Sequence, residues 1–91
     1  MRARVAAAGR KGGARARAAG RLCGNDRFQD WVVTRVGAAP QGVTAQQHAA
    51  QFVRDVCGIT SRSELDHNAK AASLFYLAIR KPFIEWSGIY G

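Results

Sequence analysis

Thr44-Ala45-Gln46-Gln47-His48-Ala49-Ala50-Gln51-Phe52-Val53-Arg54-Asp55-Val56-Cys57-Gly58 is the stretch that sets the fold class. Ala45, Ala49, Phe52, Val53 and Val56 fall on one helical face, and Gln46, Gln47, Gln51, Arg54 and Asp55 take the remaining faces. Thr44 supplies an N-cap oxygen and Gly58 a stop. Ile59 offers the apolar contact that accompanies a glycine stop.

The same period recurs on both sides of this segment. Upstream, Asp26 to Val36 places Phe28, Trp31, Val32 and Val36 at i, i+3, i+4 and i+8, with Asn25 as N-cap and Asp26 at the positive end of the helix. Ala14 to Cys23 predicts a further short helix stopped by Gly24, and Gly37, Pro40 and Gly42 mark a loop. Downstream, Ser61-Arg62-Ser63-Glu64 fits a capping box at the start of a very short helix. Asp66 or Asn68 then begins the last long helix. Its stripe of Ala71, Leu74, Phe75, Ala78, Ile79, Phe83 and Trp86 keeps phase through Pro82, which predicts one kinked helix in preference to two.

The fold class expected is all-α, a compact bundle of three to four short helices with a basic N-terminal arm. Its core is expected from Phe28, Trp31, Phe52, Leu65, Leu74, Phe75, Leu77, Ile79, Phe83 and Trp86. So small a core leaves room for stabilisation by a second copy, and a homo-oligomer is carried as an expectation.

Charge divides the chain more sharply than hydropathy does. The net charge is +8 over 91 residues, and the first 22 carry Arg2, Arg4, Arg10, Lys11, Arg15, Arg17 and Arg21 with no acidic residue. From Asn25 onward seven basic side chains face six acidic ones. The division read from this is a basic Ala/Gly/Arg-rich arm over residues 1–21, flexible or ordered on binding, and a small helical domain over 22–91. Such a segment suits a polyanion and has too few large apolar groups to fold alone. Its Ala, Arg and Gly content also matches codon bias in a GC-rich genome. An Arg-rich, acid-free start shares features with a mitochondrial transit peptide, but it is poor in Ser and broken by Gly12-Gly13.

No apolar run approaches the roughly 20 residues that span a bilayer, so no membrane partner is expected and the location expected is cytoplasmic. Cys23 and Cys57 have no second cysteine nearby. With His48 and His67 they make four zinc-type ligands without zinc-site spacings, so no metal or cofactor is expected, and each cysteine reads as a buried apolar residue at a helix end. No nucleophile elbow or phosphate loop occurs, and the Asp66-His67-Asn68 cluster reads as a capping turn. The chain is expected not to be an enzyme.

Ala49 to Leu65 has the outline of a DNA-reading helix-turn-helix, but Arg54 stands where such a motif needs a small residue, which favours a plain helical hairpin. Arg62 remains placed to touch phosphate from that turn. Arg80-Lys81 beside Tyr76 and Phe83 forms a second basic and aromatic patch of the kind that holds single strands, although Tyr76, Arg80 and Lys81 also read as an ordinary solvated edge.

Leu22-Cys23-Gly24-Asn25-Asp26-Arg27-Phe28, then Val53-Arg54 before Cys57-Gly58-Ile59-Thr60-Ser61-Arg62-Ser63-Glu64-Leu65-Asp66, then Phe83 and Trp86, resembles a type of short bacteriophage and prophage protein associated with replication and recombination regions. The resemblance covers Leu22 to Trp86 and carries over no catalytic or binding residue. It implies a small accessory protein, in a bacterial host cell, acting on nucleic acid or on a protein that handles it.

The function expected is non-catalytic nucleic-acid binding, to DNA or RNA, through phosphate contacts from Arg2, Arg4, Arg10, Lys11, Arg15, Arg17 and Arg21, extended by Arg62, Arg80 and Lys81. Deleting residues 1–21 is expected to abolish binding and leave the domain folded. The alternatives carried are a module that docks on or inhibits a protein partner, and a structural component of a nucleoprotein or virion assembly.

Overall fold

The computed structural model describes residues 13–88. Among them the chain forms α1 (Ala14–Cys23), α2 (Asp26–Val36), α3 (Ala45–Cys57), a 3-10 helix (Arg62–Asp66) and a final helix α4 over residues 69–87. Helix α4 runs through three registers, α-helical over Ala69–Leu74, π-helical over Phe75–Arg80 and α-helical again over Lys81–Ser87, with helical backbone at both junctions. The fold is all-α, as the periodicity predicts.

Local chemistry explains the boundaries. Asn25 accepts from the Phe28 N–H at 3.0 Å to start α2. Thr44 and Gln47 close a reciprocal capping box on α3, and Gly58 ends that helix in the left-handed conformation at φ 70°. Ser61 and Glu64 form the second box, but the element they open is a five-residue 3-10 helix. So short an element offers no recognition helix, and residues 49–65 do not form a helix-turn-helix. Pro82 has no N–H to give, and the widened π turns lie just before it, where the Lys81 N–H reaches back five residues to the Tyr76 carbonyl. The helix therefore continues past the proline, as its apolar phase requires.

The core joins residues from every element. Phe28, Trp31 and Val32 of α2 meet Phe52 and Val53 of α3, Leu65 of the 3-10 helix and Phe75, Ile79 and Phe83 of α4. Phe28 and Phe83 pack edge to face at 5.2 Å between ring centroids, and Trp31 and Phe52 do so at 5.6 Å. Three large residues read as apolar-face or core lie outside it: Val36 is 55% exposed, Leu77 59% and Trp86 45%. Val36 stands on the last turn of α2, beyond the packed face, and Leu77 falls between the stripe positions of α4. Trp86 instead forms a lid over the core edge, with the Arg27 guanidinium 5.8 Å from its ring and Arg27 Nη2 donating to the Ser87 carbonyl at 3.0 Å.

The boundary read from charge also moves. Residues 14–21, assigned by their charge to the arm, lie in α1, whose Ala16 and Ala19 are buried against the body and whose last residue, Cys23, is wholly buried. Small apolar groups suffice here because the helix lies close against the 3-10 turn and α3. Of the ten cations proposed as contacts, Arg2, Arg4, Arg10 and Lys11 lie outside the described residues.

Candidate nucleic-acid interface

Helix α1 is the element that organises the basic surface, and a single carboxylate fixes its N-terminus. Gly13, at the N-cap, has no side chain to offer. Asp66, about fifty residues downstream, takes that role: Oδ2 accepts from the N–H groups of Gly13 at 2.8 Å and Ala16 at 3.1 Å, and Oδ1 accepts from the Arg15 N–H at 3.1 Å. A Cβ on Gly13 would sit 3.0 Å from Asp66 Oδ1, so any side chain there presses on the capping carboxylate. Partial desolvation pushes the Asp66 carboxyl upward, but the three backbone donors and the nearby Arg15 charge outweigh it and hold the group below its ordinary value.

Held this way, α1 presents arginines to two clefts. On one flank Arg15 and Arg21 meet Arg80 of α4 beside the Tyr76 ring, in a groove of about 400 Å³ completed by Ala14, Ala18, Ala72 and Phe75. Tyr76 is exposed, as are the three arginines, and no carboxylate lines the groove. On the other flank Arg17 joins Arg54 of α3 and Arg62 of the 3-10 helix, with Thr60, Ser61 and Ser63. Among the described residues the guanidinium groups of Arg17, Arg21 and Arg80 make no hydrogen bond or ion pair with the protein.

The structure thus brings six arginines around α1, five of them read from the sequence as contacts. Arg54 is the addition. Its signal was its place at the end of α3, across the Gly58 turn from Arg62, where the chain doubles back. Lys81 stays apart, paired with Glu85 at 3.1 Å one turn along α4, and that hydrogen bond and charge raise its pKa.

The remaining reactive side chains lie scattered through the fold. Cys23 and Cys57 are buried free thiols at the ends of α1 and α3. Burial pushes Cys57 up to about 11, and burial also raises Cys23, against the opposing hydrogen bond from Arg62 and the charges of Arg62 and Arg54. His48 donates from Nε2 to the Gly37 carbonyl at 2.9 Å, tying α3 to the end of α2. Asn68 caps α4 through the Ala71 N–H at 3.0 Å. His67 is exposed on the rim of a third cleft with Arg15, Asp66, Tyr76 and Leu77. Among the described residues no group of three or more His, Cys, Asp or Glu gathers to hold a metal ion, and no helix is long and apolar enough to cross a membrane.

No protein-family model, curated protein or solved structure matches the chain.

Proposed function

We propose that this chain binds nucleic acid through phosphate contacts and performs no chemistry on it. The observation that carries the reading is the groove in which Arg15 and Arg21 of α1 meet Arg80 of α4 beside the exposed Tyr76, with no carboxylate in its lining. Guanidinium groups neutralise phosphates, and a tyrosine face stacks any base, so the pairing favours a single strand without regard to sequence. Arg2, Arg4, Arg10 and Lys11 add a further run of positive charge just upstream. A setting in phage replication or recombination, expected from the spacing of residues 22–86, is part of the same proposal.

Fluorescence anisotropy with labelled single- and double-stranded DNA and RNA tests this. Tyr76→Ala is expected to weaken single-strand binding by about 1 to 3 kcal/mol, the usual worth of a base stacked on an aromatic ring, and to spare the duplex. Equal loss on both, or none, would remove the stacking role. The exposed Val33, Val36 and Val43 support a second reading as a protein-docking module. A stoichiometric protein partner that survives nuclease treatment, together with absent oligonucleotide affinity, would put that reading first.

A further inference from the structure

The cleft on the other flank of α1 is lined by Arg17, Arg54, Arg62 and the hydroxyl residues Thr60, Ser61 and Ser63. We propose that it is a phosphate-binding pocket, seating one phosphate group of the nucleic acid; the inference rests on the nucleic-acid reading above. Each arginine comes from a different element, α1, α3 and the 3-10 helix, so only the docked fold brings them together. No carboxylate lines the cleft. The neighbouring Glu64 is already engaged, accepting from the Thr60 N–H, the Thr60 hydroxyl and the Ser61 N–H at 2.8 to 3.1 Å. Three guanidinium groups sharing a concave surface without an internal counter-charge are matched by an anion that accepts several hydrogen bonds, and a phosphate oxygen pair fits the planar guanidinium fork.

Two further details suit a ligand. Arg54 is held in place by its Nη2 bond to Gln51 Oε1 at 2.9 Å, while Gln51 in turn donates to Asp55 at 2.7 Å. The hydroxyls of Ser61 and Ser63 lie 3.0 Å apart, so one donates to the other and one hydroxyl hydrogen is left for a further acceptor. Gly20 adds no side chain on the α1 wall, and the cleft volume of about 650 Å³ leaves room for a phosphate with its attached sugar.

The test uses the full chain and inorganic phosphate, monitored by NMR at the Ser61 and Ser63 amides and the arginine Nε groups against sodium chloride of equal ionic strength. Saturable, phosphate-specific shifts at these positions are expected, weakened about tenfold or more by Arg54→Gln or Arg17→Gln. Arg62 also touches Cys23, so these two variants carry the test, with unchanged core resonances showing that they fold. Oligonucleotides bearing a 5′-phosphate or a 5′-hydroxyl separate the sources. A 5′-phosphate preference lost in Arg54→Gln assigns a terminal group, and equal affinities, both lowered in Arg54→Gln, assign a backbone phosphate. Shifts no different from those in chloride, or an Arg54→Gln protein that binds phosphate and oligonucleotide as the wild type does, would overturn the pocket and leave the Arg80 groove standing. Phosphate saturation without oligonucleotide affinity would instead overturn the nucleic-acid reading.

Discussion

Asp66 stands where the sequence offers it the start of the last helix, yet Asn68 does that work and Asp66 caps α1. Its aspartate character was legible, but its partner was not, because a cap reached from fifty residues away leaves no local spacing to read. Asp66→Ala is expected to cost about 1 to 2 kcal/mol, the scale of a lost N-cap. In a domain of this size each kcal/mol lowers Tm by roughly 4 to 8 °C. Because the folded carboxyl lies below its ordinary value of 3.8, its contribution is present at neutral pH and is lost as pH falls through the folded pKa. The stability gap between wild type and Asp66→Asn, measured by urea unfolding, is therefore expected to narrow in acid; a constant gap from pH 7 to about pH 2 would mean the charge is not what holds α1. Gly13→Ala presses on the same carboxylate and is expected to lower Tm by a smaller amount.

Helix α1 shows how far local signals carry. Its C-terminal end was readable from Gly24 and Asn25, but its docking was hidden, since Ala16 and Ala19 are too small to announce a buried face. Charge alone placed residues 14–21 in an arm, whereas packing makes them part of the body. Truncation separates the two roles. Removing residues 1–12 takes away Arg2, Arg4, Arg10 and Lys11 and is expected to weaken nucleic-acid binding while the cooperative melt persists. Removing residues 1–21 also strips Ala16 and Ala19 from the core and is expected to abolish cooperative unfolding by circular dichroism. Ala19→Leu, which forces a larger side chain into a fully buried site, is expected to cost about 1 to 3 kcal/mol. Helix α4 carries the complementary lesson. Its apolar phase predicted continuity past Pro82, and the π register that accommodates it has no simple sequence signature.

For the molecule as a whole, the sequence separates a strongly basic start from a nearly neutral remainder, and folding docks residues 14–22 of that start against the remainder. The cations themselves were legible. That Arg15 and Arg21 share a groove with Arg80, while Arg17 shares a cleft with Arg54 and Arg62, comes only from the way α1 packs on α3 and the 3-10 helix with α4 alongside. The proposed function has the docked arginines bind phosphates in concert with the basic start. Its most direct measurement is the slope of log affinity against log salt for a single-stranded oligonucleotide, comparing wild type with Arg15→Gln/Arg21→Gln/Arg80→Gln. Each lost phosphate contact lowers the slope by about 0.7 on a single strand, so a slope shallower by roughly 2 and a weaker complex at every salt concentration are expected. An unchanged slope and affinity in a folded triple variant would contradict it.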